Sequence, residues 1–128
     1  MPVTTTCNPN QGAVKLDVGD KQKLRYTIAE SAGVQFQLHD HKGVPLLSSA
    51  APPRTRDWPD KQDQIPSEQQ VTHPLGMQFG AAGELQWRVE LLAEDGSLLQ
   101  VVKDCRYRNV GAADDHFDAL TIFLKRDQ

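Results

Sequence analysis

Residues 84–103 read ELQWRVELLAEDGSLLQVVK, two apolar-alternating runs around Glu94-Asp95-Gly96. In the first run Leu85, Trp87, Val89 and Leu91 share one side of the chain, while Gln86, Arg88 and Glu90 share the other. A period of two belongs to a strand with one buried face. A two-residue Asp-Gly turn would set Leu91 opposite Gln100. A three-residue loop with Gly96 left-handed sets Leu91 opposite Leu99 and Val89 opposite Val101, apolar against apolar. The second register is preferred, so the stretch predicts a hairpin with Trp87, Val89, Leu91, Leu99 and Val101 on its buried face.

Working outward, the same alternation recurs. Leu24, Tyr26 and Ile28 alternate with Arg25 and Thr27, and Val34, Phe36 and Leu38 alternate with Gln35, Gln37 and His39. Short strands are expected near 13–16, 44–47 and 69–73, with residues 76–83 a Gly/Ala-rich connection and 110–118 a polar loop. Residues 119–126 close the chain as a strand, with Leu120, Ile122 and Leu124 on one face and Phe123 on the other. Turn signals at roughly ten-residue spacing complete the pattern. The expected fold is all-β, an antiparallel two-sheet β-sandwich of about seven to nine short strands, Ig-like or jelly-roll-like. One domain over 1–128 suits this length. Residues 1–12 are expected as an extended arm.

Residues 48–68, SSAAPPRTRDWPDKQDQIPSE, break the rhythm with four of the chain's eight prolines. A loop of this length in a compact domain is usually functional or disordered. Arg54, Arg56 and Trp58 alternate within it, and Arg and Trp are enriched at binding hot spots. They are the candidate ligand-binding residues, with Trp58 expected to be partly exposed.

Fourteen Lys and Arg against seventeen Asp and Glu give a net charge of −3 with no basic stripe, which argues against nucleic acid. No apolar run approaches the roughly 20 residues of a membrane-spanning helix. Residues 1–12 lack the apolar core of a signal peptide, so the default location is cytoplasmic, or export by a non-classical route. Reduced thiols are then the default for Cys7 and Cys105. The arm could nevertheless run beside the hairpin's second strand, and a Cys7–Cys105 disulfide would close a long loop.

Candidate metal ligands are few. His39 and His41 flank Asp40, and Asp114, Asp115 and Asp118 concentrate oxygens near the last strand. The calcium-loop spacing is absent, and a solvated strand end and a solvated acidic loop are the preferred readings. No cofactor motif, nucleophile elbow, phosphate loop or zinc-protease motif occurs. The leading expectation is a non-enzymatic binding module recognising a protein or carbohydrate partner, chiefly through residues 48–68. Two alternatives stand beside it. One is a small hydrolase with dispersed His and Asp around His39, His41 and His116. The other is a structural or assembly subunit, an oligomer pairing through a strand edge.

Overall fold

The computed structural model describes residues 3–7, 14–18, 22–58 and 69–126. The described residues form ten strands and no helix: β1 (Thr4–Cys7), β2 (Val14–Val18), β3 (Lys23–Glu30), β4 (Val34–His39), β5 (Pro45–Ser48), β6 (Thr55–Trp58), β7 (Gln69–Phe79), β8 (Gly83–Leu92), β9 (Leu98–Asn109) and β10 (Asp114–Arg126). Two five-stranded sheets pack face to face, one ordered β1-β9-β8-β3-β6 and the other β2-β10-β7-β4-β5. The all-β sandwich is as expected. All pairings are antiparallel except β2 on β10, which is parallel. β3 and β4 lie in different sheets, as do β7 and β8, whereas β4–β5 and β8–β9 are hairpins within one sheet.

The inner faces follow the period of two. Leu24, Tyr26 and Ile28 of β3, Val34, Phe36 and Leu38 of β4, and Leu85, Trp87, Val89 and Leu91 of β8 are all buried in one core cluster. Burying aromatic side chains such as the fully enclosed Trp87 supplies much of the stabilisation, because each removes a large apolar area from water.

Four sequence readings are corrected. The first is the hairpin register. The tip pairs Leu92 with Leu98, and Gly96 is left-handed (φ +87°). Further along, however, Leu91 faces Gln100, Glu90 faces Val101 and Val89 faces Lys103. Two bulges therefore insert Leu99 and Val102 as extra residues of β9. Leu99 is consequently half exposed, Val101 sits opposite the outward Glu90, and Val102, Lys103, Cys105, Tyr107 and Asn109 are the buried residues of β9.

Second, 69–79 is one strand running through Pro74. The ladder to β4 covers only Leu75–Phe79, so Pro74 lies where β7 has a single ladder neighbour, on β10. Third, Asp114–Asp118 is not a loop but the first part of β10, paired residue for residue with Leu75–Phe79. Fourth, the stretch from 48 is not irregular throughout: Thr55–Trp58 forms β6, an edge strand on β3. The rest of that stretch, 59–68, lies outside the described residues, as do residues 1–2 and 8–12 of the expected arm and the side chain of Phe123.

Cys7 and Cys105 face each other across the β1–β9 ladder and are joined in a disulfide, which replaces the reduced-thiol reading. The bond holds the N-terminal strand on the edge of the sheet, with Val3 buried beside it.

Candidate functional site

The residues expected to bind a ligand instead close one side of the sandwich. Trp58 is 2% exposed, so its expected exposure is corrected. It pairs with Leu24 in the ladder and turns inward against two imidazoles, with ring centroids 4.7 Å from His73 and 5.9 Å from His41. Arg56 donates to the carbonyl oxygens of Pro45 (3.2 Å) and Leu46 (3.4 Å), reaching from the edge strand of one sheet to that of the other. Arg54 holds Glu30 through two bonds of 2.8 and 2.9 Å and also donates to the carbonyl oxygens of Ser48 and Ala51. Its guanidinium lies 5.3 Å from the Phe36 ring centroid. Bidentate pairing of this kind fixes geometry as well as charge, and here it shapes the 48–51 turn.

Two tyrosines tie the sheets together inside the core. Tyr26 on β3 hydrogen-bonds His73 Nδ1 on β7. Tyr107 on β9 donates to Asp118 Oδ2 on β10, and Lys103 Nζ lies 3.3 Å from the same oxygen and 5.1 Å from the Trp87 ring. Burial, aided at Tyr107 by the Asp118 carboxylate, pushes both phenols well up. Burial and the neighbouring His41 lower His73 to about 4, against a smaller opposing pull from Asp40, so its neutral form is the stable one. His73 Nε2 and Trp58 Nε1 are buried without hydrogen-bond partners.

The metal candidates do not converge. Asp40 accepts the backbone N–H groups of Lys42 and Val44 through one carboxylate oxygen, an Asx turn that directs His41 toward Trp58 and His73. His39 ends β4. Asp118 is engaged by Tyr107 and Lys103, whereas Asp115 points to the outer side of its sheet. No group of three or more His, Cys, Asp or Glu residues placed to hold a metal occurs among the described residues. Nor do the three histidines of the hydrolase reading meet: His41 packs on His73, while His116 contacts Thr5 and Tyr107.

A surface that the sequence did not single out lies on the outer face of the β2-β10-β7-β4-β5 sheet. The register places Asp115, Gln78 and Gln35 in one row across β10, β7 and β4. The next row holds Phe117, Gly76, Gln37 and Ser48. Phe117 is 77% exposed, the most exposed large apolar side chain described. Its ring occupies the space Gly76 leaves empty, since a Cβ on Gly76 would stand 3.2 Å from Phe117 Cε1. A cleft of about 850 Å³ runs over this face, bounded by the Glu30–Gly33 turn on one side and by Ser48–Ala50 on another. That volume falls in the roughly 300–1,000 Å³ range of ligand clefts. The Arg54–Glu30 clamp thus positions the cleft's rim. The signal for this site was the alternation of Asp115, Phe117 and Ala119 against His116, Asp118 and Leu120. Aspartates are poor strand formers, and they masked it.

Comparison with known proteins finds no matching family model, no matching curated protein and no matching solved structure.

Proposed function

We propose that this protein is a non-enzymatic binding module whose recognition surface is the outer sheet face around Phe117, rather than Arg54, Arg56 and Trp58. The observation that carries the reading is the ring itself, 77% exposed at the mouth of the cleft and backed by Gly76. A large apolar side chain held on a rigid strand gives a partner apolar area at little cost in ordering. Around it the amides of Gln35, Gln37 and Gln78 carry no intramolecular hydrogen bond among the described residues and supply directional donors and acceptors. Most contacts come from strands, which hold side-chain positions better than loops. A Cys7–Cys105 disulfide further suits a protein working in an oxidising compartment.

The test is a peptide and glycan array probed with wild type, Phe117→Ala, Gln37→Arg and, as a surface control on the other sheet, Leu99→Ser. The expected result is binding lost in the first two variants and kept in the third. A bound ligand retained by both Phe117→Ala and Gln37→Arg would put recognition elsewhere and contradict the reading.

A further inference from the structure

We infer that the ligand of the Phe117 face is a neutral glycan, an inference that rests on the binding-module reading above. Three features of the cleft select the ligand class. Charge is the first. Among the described residues no Lys or Arg lines the cleft, and the Arg54 guanidinium beside its rim already holds Glu30 and the carbonyl oxygens of Ser48, Ser49 and Ala51. Anionic ligands such as phosphates or sulfated sugars would therefore meet no free cation, and Asp115 at the end of the upper row would repel them.

The second feature is the main chain. The floor of the cleft is a sheet face, with β10, β7 and β4 paired to one another across it. The backbone N–H and C=O groups there point along the sheet into the ladders, so a peptide cannot add as a strand. It would have to be read through side chains alone.

The third is the mix of groups. Gln35, Gln37 and Gln78 each offer a carbonyl acceptor and an amide donor. A wholly apolar partner would bury these amides unpaired, at a cost for each. Sugar hydroxyls are both donors and acceptors and match them. The C–H face of a pyranose ring is apolar and stacks on an aromatic ring, the role Phe117 is placed to fill. The pairing of one exposed aromatic with several uncharged amides on the adjoining strands therefore suits a neutral saccharide better than an ion, a peptide strand or an apolar helix.

The inference is tested by affinity electrophoresis in native gels containing galactomannan, xyloglucan, mixed-linkage β-glucan or starch, beside alginate and heparin as anionic polysaccharides. Wild type, Phe117→Ala, Gln37→Ala and Leu99→Ser are run together, with melting temperatures measured to establish that each is folded. At least one neutral polysaccharide is expected to retard wild type and Leu99→Ser. The apparent affinity should fall about tenfold in Phe117→Ala and by a smaller factor in Gln37→Ala. If no neutral polysaccharide retards wild type, or only alginate or heparin does, the inference is overturned. In that event an array peptide whose binding Phe117→Ala abolishes would leave the face as the binding surface and remove only the glycan. Equal retardation of wild type and Phe117→Ala would remove both.

Discussion

Trp58 inverts the expectation that a Trp among arginines in a proline-rich stretch is a surface platform, and Phe117, in a stretch expected to be a polar loop, is the aromatic that faces out. Trp58, on β6 at a sheet edge, is buried against His41 and His73; Phe117, on β10 inside its sheet, stands 77% exposed. The difference lies in what surrounds each residue in three dimensions. An edge strand leaves an opening between the two sheets, and Trp58, Arg54 and Arg56 fill and bridge it. An interior strand has its outer face free, and opposite Gly76 that face has room for a ring. Arg and Trp are enriched at interfaces because they are large, amphipathic and anchor well, and those properties serve equally to close a sandwich from within.

The contrast can be broken most forcefully at Trp58. Trp58→Ala should destabilise the protein by about 3–5 kcal/mol, because a buried indole leaves a cavity. Urea unfolding measures it, and a loss under about 1 kcal/mol would mean that Trp58 is not core.

Acid should act at the same place. His73 is held neutral, with its folded value near 4 against 6.5 when free. Between those values the unfolded chain binds a proton that the folded chain does not. Stability from this group is therefore complete above about pH 6.5 and falls as pH drops toward 4, by up to about 3 kcal/mol. Unfolding curves at pH 7.5, 5.5 and 4.5 should diverge between wild type and His73→Gln, and a pH-independent difference would contradict the burial argument.

A smaller effect sharpens the link between the two regions. Arg54→Met removes a partly exposed bidentate pair and should cost about 1 kcal/mol. Because Arg54 holds the Ser48–Ala51 turn at the cleft's rim, it should also weaken ligand binding. Phe117→Ala completes the series with a stability change below about 1 kcal/mol and the largest loss of binding. Equilibrium unfolding beside the retardation assay separates the two.

The legible parts of the fold were those where polarity tracks burial. In β3, β4 and β8 every second residue is apolar and every one of those faces the core. Three departures were not legible, each for a local reason. The bulges at Leu99 and Val102 shift β9 by two residues against β8, so an apolar-to-apolar register was the wrong criterion and Lys103 came inside, where Asp118 and the Trp87 ring receive it. Pro74 looked like a strand end but falls beyond the β4 ladder. Asp114, Asp115 and Asp118 looked like a loop because acids seldom occupy strands, yet Tyr107 makes an inward Asp118 tolerable. Of the site, the outward Gln35 and Gln37 were legible from period alone, while Gln78, Gly76 and Phe117 required the pairing of β7 with β10.

The central claim, that recognition belongs to the Phe117 face and not to the Trp58 edge, is tested most directly by NMR. The ¹⁵N-labelled protein would be titrated in turn with cellohexaose, laminarihexaose, mannohexaose and xylohexaose. The account predicts that at least one shifts the side-chain amide signals of Gln35, Gln37 and Gln78 together with the backbone amides of Gly76 and Phe117, while the Trp58 indole signal stays in place. Shifts centred on the Trp58 indole or on the Leu98–Leu99 hairpin tip, with the three glutamines unmoved, would contradict it.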